Sequence, residues 1–176
     1  MTMTPRLRRF ALAAHVASSV GWLGAVVVFL AVAVVGLTSQ DGQTVRGAYV
    51  VMEPVAWYVL VPLAFASLLT GLVQSLGTAW GLFRHYWVLF KLMINVVATI
   101  VLLLYMQTLS SLADVAAETS LSSDDLGALR SASPVLHAGA ALLLLLVAMT
   151  LAVFKPPGLT PYGQRKQHEQ RTASQR

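Results

Sequence analysis

Cysteine is absent from the 176 residues of this chain. That excludes disulfides, iron–sulfur clusters and thiolate metal sites, and it leaves the redox compartment open. Charge is nearly as scarce: Asp, Glu, Lys and Arg together make up 11% of the sequence, where a soluble domain carries about 25%. No glycine-rich phosphate loop, zinc-protease motif or nucleophile triad is present. The basic residues are too few, and too poor in aromatic neighbours, to form a nucleic-acid surface. What fills the chain instead is hydrocarbon: 57% of its residues are hydrophobic and the mean hydropathy is +0.71. This composition belongs to the integral membrane class, with the lipid bilayer as the protein's principal partner.

A spanning helix needs about 20 mostly apolar residues, and four stretches qualify: Phe10–Leu37, Val55–Ala79, Trp87–Ser110 and Pro134–Phe154. The first follows Arg6, Arg8 and Arg9 like a signal peptide, but a signal core is only about 7–15 residues. Its 28 uncharged residues therefore read as a retained helix. Glu53–Pro54 and Ser133–Pro134 predict helix starts. Pro62 predicts a kink, and Lys155–Pro156–Pro157–Gly158 a stop. The spacing thus predicts an all-α, four-helix transmembrane domain over residues 1–159 and a basic, disordered tail over 160–176. Within the third connector, Leu112, Val115, Leu121, Leu126 and Leu129 lie among polar residues, a pattern open to an amphipathic surface helix.

Charge asymmetry orients the bundle. Ten Lys and Arg residues fall at the end bearing the termini, against Arg46 and Arg130 at the other. The acidic residues Asp114, Glu118, Asp124 and Asp125 crowd that opposite side. The positive-inside rule then puts both termini in the cytoplasm, which implies a multi-pass protein of a bacterial cytoplasmic membrane.

Within this frame several polar residues share one depth. His15 lies near the start of the first helix, Lys91 and Asn95 near the start of the third, and Thr70 and Gln74 near the end of the second. Lys91, Asn95 and Thr99 are spaced by four and form one stripe, as do Thr70 and Gln74. Two small-residue stripes, Ala13–Ala17–Gly21–Ala25 and Ser67–Gly71–Ser75, suit a close helix crossing. Ionisable residues inside a bilayer mark function by default. Here no acidic side chain shares the depth of Lys91, so the lysine snorkels to the headgroups, meets an external anion or stands as a deprotonated amine. His15 and His137 are the candidate metal or haem ligands, separated by most of the bilayer. His137 with Met52 or Met106 is a candidate second site, and Glu53 a candidate partner for that histidine. Of the four tryptophans, Trp57, Trp80 and Trp87 fit interfacial belts, whereas Trp22 falls in mid-membrane.

Two motifs carry a resemblance. One is His15, Trp22 and Gly24 in HVASSVGWLG, and the other is Trp87, Lys91 and Leu92 in HYWVLFKL. Together they resemble a group of small bacterial membrane proteins that includes copper-resistance D-type domains, the bacterial membrane protoporphyrinogen oxidase and uncharacterised four-helix proteins of the DUF2269 kind. The segment LTGLVQSLGTAWGLFRHYWVLFK is most similar to the last of these. The oxidase branch implies haem b near His15 and a functional role for Lys91. It also expects a histidine late in the third helix, where this chain has Tyr105, Met106 and Gln107. The resemblance thus implies a haem-binding fold without implying porphyrinogen oxidation. Three functions follow as expectations: haem b-dependent electron transfer, oxidoreduction or sensing with a membrane redox partner; a metal or anion transport subunit acting as a homo-oligomer; and a non-catalytic assembly protein. In the first, Lys91 and Asn95 hold a haem propionate or supply a second ligand, with Gln74 beside them.

Overall fold

The computed structural model of the protein describes residues 3–77, 81–118 and 122–174. Among these, all regular structure is helical. Helix α1 spans Pro5–Thr38, opening on Thr4, whose hydroxyl accepts from the Leu7 amide, and on Pro5 in the first turn. Helix α2 spans Gly42–Val55, a π-helical segment follows over Ala56–Leu60, and α3 spans Val61–Leu76. Helix α4 spans Tyr86–Ala117, α5 Ser123–Leu129, α6 Ser133–Phe154 and α7 Pro161–Ser174. Four helical runs, Pro5–Thr38, Gly42–Leu76, Tyr86–Ala117 and Ser123–Phe154, are long and apolar enough to cross a membrane.

The second run differs most from expectation. Pro54 does not start it but lies inside α2. The start moves back to Asp41, whose carboxylate accepts from the Gln43 and Thr44 amides at 3.3 and 3.0 Å and from the Thr44 hydroxyl at 2.6 Å. Four first-turn amides of any helix lack internal acceptors, and an aspartate here satisfies two of them. Pro62 occupies the first turn of α3, directly after the π-helical segment. A proline ring collides with the carbonyl four residues back, and the wider π turn relieves that collision while the chain continues as helix. The expected helix end at Ala79, and Trp80 beyond it, lie outside the described residues, as does Leu121.

The long connector over 111–133 is also largely helical among its described residues. Helix α4 continues past Ser110 because Ala113 and Ala116 are buried and Leu112 and Val115 pack on the core. Helix α5 begins with a capping box in which Ser122 and Asp125 satisfy each other's amides, and Leu129 anchors it with no exposed surface. At the head of α6, Ala132 rather than Ser133 is the capping residue, and Pro134 lies in the first turn. Residues 161–174, expected to lack structure, form α7, with Thr160 and Pro161 as cap and first-turn proline.

Helix α1 packs against α2, α3 and α6, and α4 packs against α2, α3 and α6. Trp22, Phe29, Tyr49, Met52, Met106 and Leu109 fill the centre. Outward-facing residues such as Val28, Leu104, Leu143 and Phe154 are exposed, the inside-out arrangement that a hydrocarbon solvent permits. The α1 stripe that turns inward is Ala11–His15–Ser18–Trp22–Val26–Phe29–Ala33–Gly36. Ala13 and Ala17, expected at the crossing, face outward. On α3 the expected small residues do face α1: Ser67 shares a hydrogen bond with Ser19, and Gly71 lies against His15.

The start of α1 and the chain before α7 lie at one end of the bundle, where Met3 lies against Gly77 and the Thr160 amide donates to the Arg84 carbonyl. There the chain before α4 is clasped to the chain before α7: His85 bridges Leu159, and the Thr160 hydroxyl donates to the Phe83 carbonyl. The opposite end is tied by two arginines. Arg46 donates to the Ala117 carbonyl and Arg130 to the Gln40 carbonyl, each at 3.1 Å.

Candidate functional site

The polar layer expected from helix depth assembles around His15. This residue is 8% exposed, and both of its ring nitrogens are engaged. Lys91 Nζ on α4 lies 3.0 Å from His15 Nε2. Thr70 Oγ1 on α3 lies 3.1 Å from His15 Nδ1. With Lys91 charged, its ammonium group has donors only, so Lys91 donates and Nε2 accepts. Nδ1 then carries the ring proton and donates to Thr70, whose own hydroxyl donates to the Ala66 carbonyl. Ser18 adds a brace, donating to the His15 carbonyl at 3.1 Å and lying 3.2 Å from the Thr70 hydroxyl. The histidine is thereby held in one tautomer with its Nε2 lone pair directed toward Lys91.

Close approach of α1 and α3 makes this possible. A Cβ added to Gly71 would stand 3.1 Å from His15 Cε1, tighter than ordinary contact. Only a glycine leaves the imidazole its present place without displacement.

Lys91 therefore points into the bundle. Its helix supports it locally, since the Asn95 side-chain amide donates to the Lys91 carbonyl at 2.8 Å and the Thr99 hydroxyl donates to the Asn95 carbonyl at 2.8 Å. Asn95 and Thr99 are both buried. Gln74 Oε1 is buried and, among the described residues, has no hydrogen-bond partner. It faces a cavity of about 90 Å³ shared with His15, Lys91 and Asn95. That is room for about three water molecules.

A larger groove of about 670 Å³ lies beside this cavity and includes the same His15, Gln74, Lys91 and Asn95. It runs between α1, α4 and α6. Trp22, Leu12, Val16, Leu145 and Met149 supply apolar wall, and Arg8, Arg9 and Lys155 line it toward the end bearing the termini. Such a volume falls within the roughly 300–1,000 Å³ of known cofactor and ligand sites, and so does the mix of apolar wall with a few convergent polar groups.

Four of the five sequence-predicted site residues, His15, Gln74, Lys91 and Asn95, thus line one space. The fifth does not. His137 sits near the head of α6, at the opposite end of the bundle from His15. It is exposed, stacks on Tyr105 with ring centroids 4.0 Å apart and hydrogen-bonds within its own helix to Ser133. Glu53, its expected partner, accepts instead from the Ser110 hydroxyl at 2.7 Å, and Met52 and Met106 are buried in the core. Among the described residues no group of three or more His, Asp or Glu side chains is placed to hold a metal ion. His15 and His137 stand at opposite ends of the bundle, apart from one another as their depths predict. Thr70, Arg8, Arg9 and Lys155 were not singled out as site residues in the sequence. Thr70 was legible from its shared face with Gln74, whereas the three cations read as topology and helix-end signals. Comparison with protein-family models, with curated proteins and with solved structures finds no match to this chain.

Proposed function

We propose that this protein binds haem b in the groove between α1, α4 and α6, with His15 as an axial ligand, and that it serves membrane electron transfer, haem-linked oxidoreduction or sensing. The observation that carries the reading is the state of His15. A ligating histidine must offer one unprotonated nitrogen and commonly donates its other N–H to a fixed acceptor, which sets the tautomer and ring orientation. His15 does both, through Nε2 and through Nδ1–H to Thr70. The donor set fits the group: one imidazole on the wall of an apolar groove that also contains basic side chains. Lys91 now occupies the Nε2 lone pair, so ligation requires its ammonium to swing away, toward the groove. Haem, when bound, would supply one-electron chemistry, and the chain would tune it through the axial ligand, the Thr70 hydrogen bond and burial.

The orientation belongs to this proposal. Ten Lys and Arg residues at the termini-bearing end against two at the other support a cytoplasmic location for both termini. The resemblance of the helix-one and helix-three motifs to bacterial membrane haem proteins supports a bacterial cytoplasmic membrane, where a membrane redox partner or a second copy would complete electron transfer. Transport is less well supported. Beyond the polar layer, Val26, Phe29, Tyr49, Met52 and Met106 fill the interior of the single bundle, which leaves no polar route across it among the described residues.

The test is a spectrum of protein purified gently from haem-replete cells, from about 350 to 650 nm, oxidised and dithionite-reduced, for wild type, His15→Ala and His137→Ala. The expected result is a Soret band with sharpened α and β bands on reduction, lost in His15→Ala and kept in His137→Ala. A featureless wild-type spectrum that added haemin does not change would refute the reading, as would full retention of haem by His15→Ala.

A further inference from the structure

The basic residues in the groove pose a separate question from His15. Arg8 and Arg9 lie in the first turns of α1, and Lys155 follows the last residue of α6. These two helices come from opposite ends of the sequence, yet all three side chains line the same space. Among the described residues, none that lines that groove is acidic. Six of the chain's seven acidic residues (Asp41, Glu53, Asp114, Glu118, Asp124 and Asp125) lie toward the other end of the bundle. The seventh, Glu169, is paired with Lys166 at 2.9 Å. Lys155 also stands in left-handed backbone, φ 44° and ψ 61°. Glycine is the usual residue there, because a side chain makes this conformation costly. In this chain a lysine stands there, with its side chain on the groove.

We propose that Arg8, Arg9 and Lys155 form a carboxylate clamp that holds the anionic end of a dicarboxylate amphiphile in the groove. This rests on the haem reading, in which the two carboxylates are the propionates of haem b. His15 is seven residues from Arg8 on the same helix, an axial separation of about 10 Å at 1.5 Å per residue. That places the ring nitrogen and the guanidinium groups at two well-separated points of one apolar groove, as a flat macrocycle with its acidic arms on one edge requires. Guanidinium groups bind carboxylates in a two-point geometry. The clamp thereby assigns propionate binding to Arg8, Arg9 and Lys155, and leaves Lys91 to govern access to His15 Nε2.

The test compares haemin with haemin dimethyl ester, which keeps the macrocycle and iron but lacks the two carboxylate charges. Each is titrated into the purified full-length protein in neutral detergent and followed at the Soret band. Wild type, R8Q/R9Q and K155G are compared, and K155G also removes the strained backbone. A charge-assisted contact corresponds to about tenfold in affinity. Wild type should therefore prefer haemin by about 100-fold, and each variant should lose about tenfold or more of that preference while binding the ester as wild type does. K155G should unfold no earlier than wild type, which separates lost binding from lost fold. Equal affinity of wild type for the two compounds, or variants that lose both equally, would overturn the clamp alone. Absence of a Soret response to either compound overturns the haem reading and the clamp with it. If phosphatidylglycerol vesicles abolish the preference where phosphatidylcholine vesicles do not, the cations form a lipid-headgroup site and the clamp assignment is overturned.

Discussion

Replacing Lys91 by methionine is the sharpest test of why a lysine stands inside this bundle. If Lys91 serves the fold, Lys91→Met must destabilise the protein. If it serves a ligand, the substitution should leave the empty protein as stable or more so. On insertion scales a lysine costs at most about 3 kcal/mol, the figure for a helix centre, and Lys91 stands in the second turn of α4. Its hydrogen bond to His15 Nε2, 3.0 Å long, returns about 1.5–3 kcal/mol as a bond involving a charged donor. Methionine keeps a similar length and flexibility without a charge. Lys91→Met is therefore expected to change stability by between about 0 and 1.5 kcal/mol in the stabilising direction, the difference between those two figures. His15→Ala is the opposite case. It leaves the ammonium without its acceptor and removes the donor to Thr70, for a loss of about 2 kcal/mol or more. The double variant His15→Ala/Lys91→Met should recover part of that loss, because the orphaned cation is gone, so the two effects should fail to add by about 1 kcal/mol or more. Reversible unfolding in mixed micelles with increasing dodecyl sulfate, followed by tryptophan fluorescence, measures all three, since Trp87 lines the same cavity. A Lys91→Met variant less stable than wild type by 1 kcal/mol or more, or strictly additive effects, would refute the reasoning.

Three further outcomes follow from the same geometry. Gly71→Ala should cost about 1 kcal/mol and Gly71→Val about 2–3 kcal/mol in the same unfolding assay, by overpacking against His15; no difference between them would show that α1 and α3 separate freely. The Thr44 hydroxyl and the Thr44 and Gln43 amides hold the Asp41 carboxyl below its ordinary value of 3.8. A carboxylate with a lowered folded-state pKa stabilises above its unfolded value, and the contribution is lost as pH falls through the lower folded one. Amide exchange at Gln43 and Thr44 should therefore lose protection below about pH 4, a change that Asp41→Asn should flatten. Thr160→Val removes both the bond to the Phe83 carbonyl and the cap on the Gly163 amide. It should raise hydrogen exchange throughout α7 at a cost of about 1 kcal/mol, with the spanning helices unaffected.

Much of this architecture is written in composition. Long uncharged runs in a chain with so few charged residues admit only helices, because backbone groups in hydrocarbon must be satisfied internally. Counting residues from the helix starts also placed His15, Gln74, Lys91 and Asn95 at one depth, and these side chains do line one cavity. Depth survives errors in helix boundaries because each residue shifts it by only about 1.5 Å. The helix ends were harder to read. A proline that reads as a start can sit inside a helix when an aspartate thirteen residues earlier satisfies the first amides, as Asp41 does. A proline that reads as a kink can be absorbed by a π turn, as at Ala56–Leu60.

Facing was decided only by tertiary packing. The small residues Ala13 and Ala17 look like a crossing seam, yet α1 turns Ala11, His15, Ser18 and Trp22 inward. In lipid both faces of a helix are apolar, so hydrophobic periodicity cannot say which one meets protein. The same limit hid the shared position of the groove's cations. Arg8 and Lys155 are 147 positions apart and read separately as a topology signal and a helix stop; the antiparallel packing of α1 on α6 is what sets them on one groove. The sequence by itself determined the solvent, the helices and the depth of the polar residues, because these depend on local composition and a fixed rise. The bonds from Lys91 and Thr70 to His15, and the groove beside them, required the folded chain, because they depend on which faces of distant helices meet.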